Sequence, residues 1–313
     1  MVWNKNAGYG REQVESILAS SNRPGGLTFG RTLYVLKTTD PNYDRIADLL
    51  PVDPEGEVRL FTTITAALAA VENYDTVLIG PGNFDEEATI TLTGKKGVKI
   101  IGTNTGMQWG EGATCWRDVD SDHVSDLLNL TGNQAIEIAG INFINITDGK
   151  DAINFTGLNY SIHIHDCCFT GNVGGSDVQA YAINAGGSNA ADLYVHDCKF
   201  FKQKTTAILN IGQRAVIKDN IFIVGAASKG ISGCNAAGGF NIIADNYFIG
   251  AVSTGYGIYR ESYTATNLAI INNRFIGFSA NYDINQVASS DSSVVGNIAD
   301  GTDGAAADID PTA

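Results

Sequence analysis

A chain of 313 residues is long for one ordinary domain, yet 36 Gly, only 6 Pro and 44% hydrophobic content describe a sequence that turns often around a long continuous core. That balance excludes low-complexity disorder over most of the length. The net charge of −14 repels phosphate backbones and anionic bilayers, so neither nucleic acid nor a membrane surface is an expected partner.

Residues 1–30 open on Met1-Val2-Trp3-Asn4-Lys5-Asn6, without a charged segment leading into an apolar stretch. No secretory signal is therefore expected, and the protein is expected to be made in the cytoplasm. A short helix is predicted over Glu12 to Ala19, followed by the linker-like run Ser20-Ser21-Asn22-Arg23-Pro24-Gly25-Gly26. Two readings of this segment stand side by side: an unstructured terminus, or an attachment arm making contacts through Trp3, Tyr9, Arg11 and Arg23.

The next unit, residues 31–75, reads as a cap. Thr62 to Val71 has helix-forming composition and helical apolar spacing, and would cover the first coil at Thr76 to Gly82. From there to residue 299 one short phrase recurs: apolar, any residue, Asp or Asn, Asn or Cys, any residue, Phe. It occurs at Ile164–Phe169, Val195–Phe200, Ile217–Phe222, Ile243–Phe248 and Ile270–Phe275, with weaker copies at Ile138–Phe143 and Val294–Ala299. Successive anchors from Phe143 to Phe275 stand 22 to 31 residues apart, a constant phrase with loops of variable length. Between anchors lies a second apolar phrase, as in Tyr181-Ala182-Ile183-Asn184 and Gly257-Ile258-Tyr259. Each coil is then two or three short strands, and the fold class is all-β: a single right-handed parallel β-helix with an amino-terminal capping helix. Inward Ile, Val and Phe should form ladders one strand spacing apart, and the Asp/Asn turn positions should hydrogen-bond from coil to coil. Residues 300–313 form an acidic tail with no core pattern.

The five cysteines, Cys115, Cys167, Cys168, Cys198 and Cys234, show no CxxC spacing and read as free buried thiols. The sequons at Asn129, Asn145 and Asn154 are attributed to an Asn- and Thr-rich repeat.

Three segments carry a resemblance: Arg31-Thr32-Leu33-Tyr34-Val35, Pro54 to Ile64, and Asp75-Thr76-Val77-Leu78-Ile79-Gly80-Pro81-Gly82. They resemble the amino-terminal cap of pectin-lyase-like β-helix proteins. The spacer Thr39 to Tyr43, through Asp53 to Gly56 with Arg59-Leu60-Phe61, is similar to virion structural proteins of tailed bacteriophages. Together these segments cover about a quarter of the chain. The resemblance implies a non-enzymatic virion component, a capsid decoration or other surface protein with the β-helix as a rigid platform. It further implies the major capsid protein or tail subunits as partners, a homo-oligomer (a trimer by analogy), and a virion location after synthesis in the host cytoplasm. The alternative it leaves open is a tail spike or fibre that binds or cleaves host polysaccharide.

Enzymes of the resembled superfamily act on acidic polysaccharides, through Ca²⁺ held by clustered carboxylates and a cationic base, or through paired carboxylates. Their recurring Asn-Thr-Asp, Asp-Asp and Gly-His-Gly clusters are absent, so no catalytic, cofactor-binding or metal residues are assigned and no cofactor is expected. Asp166, Asp197, Asp219 and Asp245 align, but in the repeating turn. His165 and His196 align with Lys218 on an outward stripe, with His163 on the same face one pleat away; Lys218 on one side of the stack is a poor ligand and Ala139 is on the other, which leaves no third ligand for a metal. The densest aromatic and charged cluster is Tyr256, Tyr259, Arg260, Glu261 and Tyr263, which suits a protein neighbour or a sugar ring.

Overall fold

The computed structural model describes residues 30–49, 56, 58–86, 88–102, 113–118, 126–145, 149–173, 176–177, 179–186, 189–226, 228–233, 240–250, 255–259, 267–278, 284–285 and 292–300. The attachment-arm residues Trp3, Tyr9, Arg11 and Arg23, the helix expected over Glu12 to Ala19, Cys234 and the tail from residue 301 lie outside them.

Every coil runs through three strands that join three parallel sheets, here A, B and C. In one central coil these are Tyr194–His196 in sheet A, Lys199–Phe201 in sheet B and Thr206–Leu209 in sheet C. Sheet A has 11 strands, sheet B 9 and sheet C 8, so eight coils contain all three and a last coil contributes Ser292–Val295 and Ile298–Asp300. The result is the all-β right-handed solenoid that the repeat predicts.

Its core is a set of straight columns. Phe84, Trp116, Phe143, Phe169, Phe200, Phe222, Phe248 and Phe275 follow one another in strict register along sheet B. From Phe143 to Phe275 adjacent rings lie 4.6–5.1 Å apart and within 9° of parallel, close to the spacing of the strands that carry them. Sheet A supplies the facing column Ile100, Ile138, Ile164, Val195, Ile217, Ile243 and Ile270. Sheet C adds Ile153, Ile183, Ile208, Ile231, Ile258 and Ile284, all buried.

The turn from sheet A to sheet B explains the repeated phrase and corrects one expectation. The aligned acids do not form the coil-to-coil ladder. Asp166, Asp197, Asp219, Asp245 and Asn272 hold φ of 52–57°, a left-handed geometry that Asp and Asn tolerate better than other side-chain-bearing residues, and Gly140 and Gly296 take that place in the weaker copies. A left-handed residue swings the chain through the corner and points its own side chain outward. The residue after it points inward, and that is where the ladder forms. Asn220 N–H donates to Asn246 Oδ1 (3.0 Å), Asn246 N–H to Asn273 Oδ1 (3.0 Å) and Asn273 N–H to Asn297 Oδ1 (2.8 Å). Each amide Nδ2 then donates to a carbonyl one coil back, as Asn246 does to Ile217 at 2.9 Å. Cys167 and Cys198 occupy the same slot earlier, and with Cys115 and Cys168 they are free and buried, as expected.

Among the described residues two helices precede the coils: α1 (Tyr43–Leu49), which the sequence did not announce, and α2 (Ile64–Ala69), inside the expected Thr62–Val71 span. Thr63 caps α2 by accepting from Ala66 N–H at 3.2 Å. The buried Glu86 carboxylate accepts from Ile64 N–H (2.6 Å) and Thr65 N–H (3.2 Å), fixing the helix start to the first coil. Ile64, Ala67 and Leu68 close the open end of the core.

Candidate functional site

With inward positions spent on stacking, chemistry is confined to the outer faces. Sheet C presents two outward rows. One runs Asn129, Asn154, Asn184, Leu209, Ser232, Tyr259, and the other passes through Tyr181, Thr206, Lys229 and Tyr256. Tyr256 and Tyr259 meet with ring centroids 4.8 Å apart, and Lys229 Nζ sits 3.9 Å above the Tyr259 ring. Two members of the expected cluster are thus brought together, joined by a lysine that was not foreseen. Arg260, Glu261 and Tyr263 lie outside the described residues.

At the leading edge of the same sheet is a carboxyl pair that sequence reading missed. Asp151 N–H donates to Asp126 Oδ1 (3.0 Å), Asn154 Nδ2 to Asp126 Oδ2 (2.9 Å) and Asn184 Nδ2 to Asp151 Oδ2 (3.1 Å). Asp151 is only 6% exposed. Burial, and after it the neighbouring Asp126 carboxylate, pushes its pKa up to about 7. A detectable signal existed: Asp126-Leu127-Leu128-Asn129 and Asp151-Ala152-Ile153-Asn154 repeat one coil apart. The Asp falls where later coils carry Tyr181 and Tyr256, so the pair is hidden from a search keyed on the Phe phrase. Chemically the pair can hold one proton near neutral pH.

Sheet A carries the histidines. His163 and His165 are two residues apart on one strand and share its outward face, one pleat apart, as expected. His163 is in register with Glu137 and Tyr194, and His165 with Ala139 and His196. Ala139 stands in the same column as His165, at the end of the stack away from Lys218, as the sequence predicts. Nε2 of His163 lies 2.6 Å from Nε2 of His196. His196 Nδ1 faces Asp197 Oδ2 at 2.6 Å, and His165 bridges Asp166 (2.8 Å) and Glu137 (3.3 Å). Tyr194 stacks on His163 at 4.9 Å. Lys99 Nζ pairs with Glu137 at 2.7 Å, and Lys218 with Asp219 at 3.3 Å. Among the described residues no group of three or more His, Cys, Asp or Glu is arranged to hold a metal ion.

No protein-family model matches the chain, and no curated protein matches it. Among solved structures, a pectin methylesterase from Aspergillus niger is 12% identical, covers 94% of this chain and 91% of its own, and gives a TM-score of 0.49. The pectate lyase Pel9A is 16% identical, with coverages of 92% and 82% and a TM-score of 0.48. The ORF18 protein of Geobacillus virus E2 is 14% identical over 76% of this chain and 58% of that one, with a TM-score of 0.34. These likenesses concern architecture, and the strand registers define the solenoid without them.

Proposed function

We propose that the chain is a non-enzymatic structural component of a bacteriophage virion, a capsid decoration or similar surface protein that uses the solenoid as a rigid platform. The observation that carries this reading is where the most strictly repeated residues go. The Phe column, the Asn ladder and the left-handed Asp corner all serve coil-to-coil stacking, which builds a stiff rod and leaves attachment to its ends. One end supports this: Val295 is 58% and Ile298 62% exposed on the terminal strands of sheets A and B. Apolar side chains on an end strand suit contact with another subunit. The major capsid protein or a tail subunit is the proposed partner, and assembly as a symmetric homo-oligomer, a trimer by analogy, the proposed state. Immunogold electron microscopy of purified particles tests it: label on the capsid surface is expected, and its absence from intact particles would overturn the reading.

A second reading, a tail protein that binds or cleaves host polysaccharide, is favoured by sheet C alone. There the Asp126–Asp151 pair and the Tyr256–Tyr259–Lys229 patch share one outer face, four coils or roughly 19 Å apart. Release of reducing ends from an acidic polysaccharide, lost in Asp126→Asn and Asp151→Asn, would establish it. Glycan binding without release would establish an adhesin instead.

A further inference from the structure

Three of the chain's four histidines meet on the outer face of sheet A, with ring centroids 4.4–5.1 Å apart. The informative contact is the one of 2.6 Å between Nε2 of His163 and Nε2 of His196. An imidazole nitrogen either carries a proton and donates, or lacks one and accepts, so this bond requires one of the two Nε2 atoms to be bare. Asp197 Oδ2, 2.6 Å from Nδ1 of His196, holds a proton on that nitrogen and leaves Nε2 of His196 as the acceptor. His163 is then the donor. If both rings carried two protons, two N–H groups would point at each other and the contact would break.

The groups facing this pair come from every neighbouring strand and turn. Lys99 and Glu137 stand on the two strands before His163, His165 and Asp166 on its own strand and turn, Tyr194 and Asp197 beside His196, and Lys218 and Asp219 one coil further on. With neutral rings this face sets two lysines against four carboxylates; one additional proton on each of the two rings brings the sum to zero. Partial burial, followed by the neighbouring His165 and His196, holds His163 below the ordinary histidine range, which favours its neutral donor form in the closed arrangement.

We propose that His163 and His196 form a proton-operated latch on the outer face of sheet A, closed by their shared hydrogen bond at neutral pH and opened by acidification. Opening adds two protons, which neutralises the net negative charge of that face, and frees the Tyr194 ring from its stack on His163. The device is independent of the virion assignment, since it depends only on contacts within the chain.

Histidine ring nitrogen NMR on the intact chain, titrated from pH 8 to 4.5, tests it directly because there are only 4 histidines to assign. The protonation of His163 and His196 is expected to be coupled, each ring's signal responding to the other's. At neutral pH, His196 should be the Nδ1–H tautomer and His163 should carry its proton on Nε2. His163→Gln keeps an N–H donor toward His196 but cannot titrate, so His196 should then protonate in a single step. Circular dichroism across the same range confirms that the coils persist, and His196→Asn, which should leave His163 with one simple step, provides the reciprocal check. Independent, superimposable titrations of His163 and His196 in the unaltered chain, unchanged by either substitution, would overturn the latch.

Discussion

Asn246 shows how much one side chain carries. Its Oδ1 accepts from Asn220 N–H and Asn220 Nδ2, while its own Nδ2 donates to the Ile217 carbonyl and to Asn273 Oδ1. Replacing it with Leu leaves a buried amide and a buried carbonyl unpaired in neighbouring coils. The expected loss is about 3–5 kcal/mol, read as a lower denaturation midpoint, whereas Asp245→Gly at the exposed left-handed corner beside it should be neutral or slightly stabilising. Asp151 makes a prediction of a different kind. Its pKa of about 7 in the fold lies above the ordinary value of 3.8, so between those values the folded chain holds more protons than the unfolded one. Its contribution is therefore most favourable at and below pH 3.8 and declines as pH rises through 7. Asp151→Asn should flatten this decline and make the variant more stable than the parent at pH 8 by about 1–3 kcal/mol, as followed by thermal unfolding at several pH values. A variant that is less stable than the parent at pH 8 would contradict the assignment of a destabilising charge there.

At the scale of elements, the cap is where local sequence and tertiary need meet. Asp75, buried at the head of the Asp75-Thr76-Val77 motif, accepts from Arg31 N–H (2.7 Å), Arg31 Nη2 (2.9 Å) and Glu72 N–H (2.8 Å). It thus ties the first strand, Thr32–Val35, to the loop after α2. Asp75→Ala removes these bonds and leaves the Arg31 guanidinium on the Ala70 carbonyl and the more distant Glu72 carboxylate, and should cost about 1.5–3 kcal/mol in chemical denaturation. The motif is in this sense a closure device. The two coils after it escaped the repeat search for a related reason. Phe84 and Trp116 stand in the Phe column, but their corners lack the Asp-Asn pair: Gly80 and Pro81 make one turn, and residues 103–112 intervene before the other strand, Thr114–Asp118. The inward column could be extended backwards only once the strands were seen in register.

For the whole molecule, nearest-neighbour stacking means that stability is a sum over coil interfaces, greatest where a coil has two neighbours. Amides of Val195, Ile217 and Ile243 should exchange slowly, and those of residues 292–300, which among the described residues have a partner strand on one side, faster than these. Uniform protection along the rod would instead mean that something covers that end. Fold class and the capping helix were legible in the chain itself, because a period that recurs every few tens of residues records which side chains must stack, and the strand alternation decides which of them point inward; the number of coils was not, since the first coils lack the repeated phrase. What tertiary structure alone decided was which outward residues become neighbours. Asp126 and Asp151, or His163 and His196, are tens of residues apart in sequence and a hydrogen bond apart in space, because register converts one turn of the solenoid into a single strand spacing. A repeat predicts its own core well, since every coil restates it; an outer face is stated once at each position, and its chemistry exists only after the coils are laid side by side.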